Sequence, residues 1–315
     1  MRKSLRLAAL ASAAVFLVAA CGSSSNPTDA PTAAPATAAP ATAAPEVTPE
    51  PAPTIDPESL LGKVYASGKL RVATDPNYAP FSFLDVATGE YVGYDNATAV
   101  EVAKRLSTEL GKEITVQWET PNWDLITAGS WGGRWDISIG SMSVTKSREK
   151  VVDFADPYFY DFGMIAVPKD SPIQTVAELA GKEFCVGAST TYVQWHTGTL
   201  EIVDPNMLPV PPDVKVTTLP TDNECVQAIA AGRTFDALAA NENSLSNAVK
   251  ENQPIRILDN SVTFTISVSP ALDKSGPSTA SMLVVLNKVL ADMHADGTMS
   301  AISIEHLGKD VSKKP

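Results

Sequence analysis

Two hydrophobic rhythms alternate along the chain between about residues 69 and 307. KLRVATD (69–75) and EITVQWE (113–119) alternate apolar and polar positions with β-branched enrichment, the period of two that predicts a strand. FSFLD (81–85) and EYVGY (90–94), joined across ATG, predict a small hairpin. The rhythm then changes. Val100, Ala103, Leu106 and Leu110 recur three and four residues apart, predicting a helix with Asp95 or Asn96 as N-cap and Gly111 as stop. A short helix is expected after Pro121-Asn122-Trp123, and WDISIG (135–140) is a third strand.

The second half repeats the style. GMIAVPK (163–169) reads as a strand, TVAELAG (175–181) as a short helix and EFCVGA (183–188) as another strand. Thr221 and Glu224 form a capping box that opens a helix ending at Gly232, and FDALAA (235–240) is the strand that follows. SMLVVLNKVLADMHAD (281–296) and GTMSAISIEHLG (297–308) close the pattern as helices. Strands alternating with helices imply an α/β fold with largely parallel sheets covered on both faces. Ligands of such sheets bind at the carboxyl ends of strands. Polar and aromatic residues gather at those ends. Asp75 and Tyr78 follow the first strand and Trp123 the second; Ser141, Met142, Ser143 and Arg148 follow the third; Thr190 and Thr191 follow EFCVGA, and Asn241 and Glu242 follow FDALAA.

The amino terminus has another character. Arg2, Lys3 and Arg6 precede an apolar run from Leu7 to Ala20. That run is shorter than the ~20 residues of a membrane span and fits a signal peptide over residues 1–20. Val18-Ala19-Ala20-Cys21 reads as a lipobox, with Cys21 lipidated as the new terminus; cleavage of an ordinary signal peptide near Ala20 is the alternative. Residues 21–57, rich in Pro, Ala, Thr and Ser, have no hydrophobic period. They cannot bury enough apolar surface to fold and read as a semi-rigid tether, or as an O-glycosylated stalk. The expected location is extracytoplasmic, lipid-anchored at the outer face of the cell membrane.

Composition narrows the partners. The formal charge is −12, more negative once the first cations are cleaved, and no basic cluster survives. That argues against nucleic acid. With Cys21 taken by lipid, Cys185 and Cys225 remain, expected to be joined in an oxidising compartment, with two reduced buried thiols as the alternative. His196, His294 and His306 are too scattered for a metal cluster or an evident catalytic base, so no metal or cofactor is expected.

DPNYAPFSF, GYDNATAVEVAKRL, the S-x-S-x-T-x-x-R run from Ser141 to Arg148, FADPYFY, GR-x-x-D and ADGTMSAI occur in that order. Together they resemble the family 3 extracellular solute-binding proteins, the amino-acid receptors of ABC importers, over about residues 62 to 309. The resemblance implies a type II periplasmic-binding fold: lobe 1 from 62–161 plus 265–313, lobe 2 from 162–264, and two hinge strands crossing near Asp161 and Phe264. It implies that Arg148 and hydroxyl and backbone donors hold the ligand's α-carboxylate. The guanidinium fork suits a carboxylate, and residues from Ser143 onward are expected to open a helix whose N–H groups favour an anion. Thr190 and Thr191 would add donors from the other lobe. Tyr78 matches the ring lying over the ligand, and Trp123 a position that contacts it; Phe81 and Trp195 read as packing. Asp75 matches the position that faces basic side chains, or is a turn residue in T-D-P-N.

Two departures stand out. Ala97 replaces the second acid of G-[FY]-D-x-D, and the strand-end aspartate that pairs with the ligand's α-ammonium is here Asn241, followed by Glu242. Either Glu242 turns in, or Asp75 shares the role, or the ligand lacks a free ammonium. Enzyme readings compete weakly. Ser143-Val-Thr-Lys146 fits S-x-x-K, but its companion motifs stand in the wrong order. A dehydratase on the same fold would need Asp75 or Glu242 as its acid. The expectation is a non-enzymatic, monomeric receptor that captures a polar amino acid, a basic one favoured, and delivers it to an ABC permease.

Overall fold

In the computed structural model, residues 55–202, 204 and 206–314 are described; the signal peptide, Cys21 and the tether as far as residue 54 lie outside them. The first of two main sheets is centred on Lys69–Ala73, parallel to Thr115–Glu119 on one side and to Ile137–Ser138 on the other. Ala271–Asp273 joins next, antiparallel to both Ile137–Ser138 and Val152–Phe154. Helices Tyr94–Leu110, Ala280–Ala295 and Thr298–Leu307 pack beside it. Met282, Leu286, Val289, Leu290 and Met293 lie three, four or seven apart and are all buried, which is the stripe expected of a core-facing helix.

The second sheet runs Lys215–Leu219, Glu183–Gly187, Ala237–Asn241, Phe159–Pro168, Ile255–Ile257. Its first three strands are parallel and Phe159–Pro168 is antiparallel to Ala237–Asn241. Helices Asp222–Ala230 and Glu242–Lys250 pack against it, and a Cys185–Cys225 disulfide fastens the first of these to the strand beneath. These are two α/β lobes. Phe159–Pro168 leads out of the first lobe and Phe264–Val268 leads back, the pair hydrogen-bonded antiparallel with Asp161 opposite Ile266. Two crossing strands that brace each other form a hinge, because rotation between lobes needs φ/ψ change at only a few positions.

Three expectations change. The helix from residue 94 is capped by Gly93, and Asp95 and Asn96 stand inside its first turn. Gly93 is required there: its φ is +108°, and a Cβ would lie 2.4 Å from the Phe81 carbonyl oxygen. No α-helix opens at Ser143. Ser141 is left-handed at φ +54°, the Val144 and Lys146 N–H groups bond Ser267 and Glu201 carbonyls, and only a 3-10 turn forms at Arg148–Lys150. With those amides committed elsewhere, an anion would have to rely on side chains here. Finally, Lys215–Leu219 is an edge strand that the hydrophobic pattern had passed over.

Candidate functional site

The carboxyl ends of strands from both lobes face one cleft with about 620 Å³ of space free of atoms. Asp75, Tyr78, Trp123, Ser141, Ser143 and Arg148 line it from the first lobe; Thr190, Thr191 and Asn241 line it from the second. The lobes touch across it. Arg148 Nη2 donates to Ser189 O at 3.1 Å, Gln194 Nε2 to Ser147 Oγ at 3.2 Å, and Asn223 Nδ2 to the carbonyls of Asn77 (3.0 Å) and Ala79 (3.2 Å).

Arg148 dominates the electrostatics. It is 4% exposed, and among the described residues no carboxylate pairs with it. Its Nη1 donates to Ser143 O at 3.0 Å, and its guanidinium lies 5.3 Å from the centre of the Trp123 ring. Burial alone pulls its pKa down to about 10. A buried guanidinium held by two neutral carbonyls and an aromatic face is under-compensated, and an anion entering the cleft would supply the missing charge. Trp123 and Tyr192 line the cleft, and Trp123 Nε1 and the Tyr192 hydroxyl are buried without hydrogen-bond partners among the described residues.

Asp95 and Asn96 turn out to be struts. Asp95 accepts from Tyr158 Oη at 2.6 Å and Ser141 Oγ at 2.8 Å, while Ser141 N–H donates to Tyr158 Oη at 3.0 Å. This network holds Ser141 in its left-handed conformation, so the Ser141 hydroxyl faces structure as much as cleft. Asn96 accepts from Thr74 Oγ1 at 2.6 Å and steadies the strand end that carries Asp75. Asp75 accepts from Asn77 N–H at 2.8 Å as a turn residue and also lines the cleft. Burial raises its pKa.

Two expected positions are corrected. The Met142 side chain is fully buried with Ala73, Trp131, Trp135 and Val152, in the core behind the cleft rather than in it. Glu242 does not turn in; its carboxylate accepts from Ser246 Oγ at 2.9 Å and pairs with Lys309. Asn241 does reach the cleft, but its Oδ1 is occupied as an N-cap by Asn243 N–H at 2.9 Å and Ser244 N–H at 3.4 Å. Gly140, Tyr192, Pro220, Thr221, Asp222 and Val268 also line the cleft and were not anticipated. The signal that could have found three of them is VKVTTL (214–219), whose carboxyl end carries Pro220, Thr221 and Asp222. Phe81 and Trp195 are packing residues as expected, both buried.

Buried carboxyls make the fold sensitive to pH. Burial pushes Asp95 and Asp222 up to about 7 and Asp161 up to about 6. Such groups hold their protons more tightly folded than unfolded, so their stabilising contribution is complete below about pH 4 and is lost as pH rises through 6 to 7. Asp296 acts oppositely. Hydrogen bonds from Thr298, together with Arg105, hold it down to about 2, and its contribution is lost only as pH falls through that value. The melting temperature is expected to be a few degrees higher at about pH 5.5 than at about pH 8. A calorimetric scan giving the reverse order would contradict these protonation states.

Two α/β lobes, two bracing hinge strands and a buried cation between the lobes define a two-lobed binding protein. The chain belongs to the bacterial extracellular solute-binding proteins, family 3, whose model matches residues 70–309. It is 29% identical over 258 residues to the L-cystine-binding protein TcyJ of Escherichia coli (strain K12), covering 81% of this chain and 89% of that protein. Among solved structures it resembles the ancestral amino acid-binding protein AncCDT-1, a precursor of cyclohexadienyl dehydratase, at 29% identity and TM-score 0.65, covering 79% of this chain and 100% of the other. An ancestral arginine-binding protein bound to arginine matches at 28% identity and TM-score 0.63, covering 76% of this chain and 99% of the other.

Proposed function

We propose that this protein is the substrate-binding component of an ABC importer. It captures a free amino acid between its lobes outside the cytoplasm and presents the closed form to a membrane permease. The observation that carries the reading is Arg148, a cation buried in the cleft among neutral partners. An α-carboxylate supplies the matching charge and accepts the guanidinium's remaining N–H groups, a pairing that is bidentate and charge-assisted. Trp123 Nε1 and the hydroxyls of Ser143 and Thr191 stand in the same cleft as further donors, whereas the Thr190 hydroxyl already donates to Gly187 O at 2.7 Å.

Closure follows from the geometry. Ser143 and Arg148 come from one lobe and Thr190 and Thr191 from the other, so a bound ligand stabilises the state in which the lobes meet. Asp75 favours a ligand with a cationic side chain, which agrees with the arginine named for one structural relative. A cystine ligand, named for the Escherichia coli relative, carries two ammonium groups and makes the same demand on cleft acids. Cys21, lipidated, would keep the receptor near its permease at the membrane surface. The dehydratase reading loses Glu242, which faces Lys309, and keeps only Asp75 as its acid.

The test is thermal denaturation of the purified chain against L-arginine, L-histidine, L-cystine, L-glutamate and L-glutamine. A ligand at a hundred times its Kd adds about 2.7 kcal/mol, which for a fold of this size raises the melting temperature by roughly 5–10 °C. At least one basic amino acid or cystine is expected to do so. No shift with any of the five would sink the reading.

A further inference from the structure

The cleft needs an acceptor for the ammonium group of an amino acid, and Asn241 is poorly placed to be one. Its Oδ1 already accepts two helix N–H groups, and what it has left is an NH₂, which only donates. A second carboxylate lies on the same lobe. Asp222 opens helix Asp222–Ala230, directly after the end of strand Lys215–Leu219 and the N-cap Thr221. It lines the cleft and is 4% exposed, and among the described residues no cation pairs with it.

Its placement is specific. Oδ1 accepts the Gly187 N–H at 2.7 Å, which fixes the carboxylate and leaves Oδ2 without a hydrogen bond among the described residues. Gly187 makes room for this: a Cβ there would lie 2.6 Å from Asp222 Oδ1, so any side chain at 187 would push the carboxylate aside. Tyr192, from the adjoining helix of the same lobe, also lines the cleft, and its buried hydroxyl has no partner among the described residues. A carboxylate oxygen and a phenol oxygen are two acceptors on one wall, and an ammonium is a group with three donors and no acceptor.

We propose that Asp222, with the Tyr192 hydroxyl, receives the ligand's α-ammonium in this protein, in place of the strand-end residue Asn241. The assignment rests on the amino-acid reading above and deepens it. The carboxyl of Asp222, held up to about 7 by burial, is restored to its charged form when an ammonium arrives beside it. The assignment also frees Asp75. With Arg148 on the α-carboxylate and Asp222 on the α-ammonium, Asp75 is left for a third, cationic group on the ligand. That selects basic amino acids or a diamino acid such as cystine.

The experiment is isothermal titration of the chain and of its Asp222→Asn variant. Asparagine keeps an oxygen for the Gly187 N–H, so the turn is preserved, and the variant's melting temperature checks this. The probes are pairs with and without the amino group: L-arginine and δ-guanidinovaleric acid, L-histidine and imidazolepropionic acid, L-cystine and dithiodipropionic acid. The unmutated chain is expected to prefer the amino member of its best pair by about tenfold or more, the size of a charge-assisted hydrogen bond. In Asp222→Asn that preference falls to within about threefold, because only the amino member weakens. Should the variant fold and keep the full preference, Asp222 is not the acceptor, although the amino-acid reading stands. Should the unmutated chain bind no amino member, or bind both members of every pair alike, the reading and this assignment fall together.

Discussion

Arg148→Ala is expected to abolish useful ligand binding while leaving the fold in place. Truncating one partner of a buried, hydrogen-bonded charge pair costs about 2–5 kcal/mol, or roughly thirtyfold to a few thousandfold in Kd. The fold should not suffer in proportion. In the protein itself Arg148 contributes two hydrogen bonds to neutral carbonyls, while its desolvated charge opposes folding. The expected signature is a melting temperature within a few degrees of the unmutated value with the calorimetric binding signal gone. Arg148→Lys should recover only part of the affinity, because an ammonium keeps the charge but not the planar fork. If Arg148→Ala unfolds the protein, the residue is structural and the clamp is wrong. If it binds normally, the carboxylate lies elsewhere.

The second large effect is on stability. Replacing Cys185 and Cys225 together with alanine is expected to lower the melting temperature by about 10 °C. Opening a cross-link that spans 40 residues releases chain entropy worth about 4 kcal/mol in the denatured state, and a fold of this size loses roughly 2–4 °C per kcal/mol. Both sulfurs are fully buried, so substitution is a cleaner test than adding reductant. The location adds a consequence. The disulfide ties helix Asp222–Ala230 to strand Glu183–Gly187, the same two elements that the Gly187–Asp222 bond joins at the cleft. The alanine pair should therefore bind ligand more weakly as well as melt earlier. A fall of less than about 2 °C would mean that the core around the pair holds the helix unaided.

The α/β character, the order of the elements and the last two helices were legible in the sequence because each depends on a hydrophobic period that survives in three dimensions. Ala103 and Leu106 are buried as a helical stripe should be, although Val102 rather than the exposed Val100 completes the buried face, and Leu70 and Val72 are buried as a central strand should be. Most of the cleft was legible too, since ligands in such folds gather at strand ends. The failures share a cause. The hydroxyl-rich run after Ser141 has the composition of a helix start, but the long-range bonds of Val144 to Ser267 and Lys146 to Glu201 take the amides that a helix would use. Asp95 and Asn96 look like caps because both residue types cap helices; that they brace Ser141 and Thr74 depends on contacts 46 and 22 residues away. Asp222 was hidden because the strand before it is an edge strand with an exposed face, and its threonines and lysine blur the alternation. A carboxylate directly after an N-cap threonine looks like helix chemistry until the strand beside it is known.

The central claim is that the cleft grips an amino acid by its carboxylate, and removing that carboxylate from the ligand tests it without altering the protein. L-arginine against agmatine, L-histidine against histamine and L-cystine against cystamine should be titrated calorimetrically into the unmutated chain. The acid member of the best-binding pair is predicted to bind at least about thirtyfold more tightly than its amine. An amine that binds as well as its parent amino acid would contradict the account, because Arg148 would then not be holding a carboxylate.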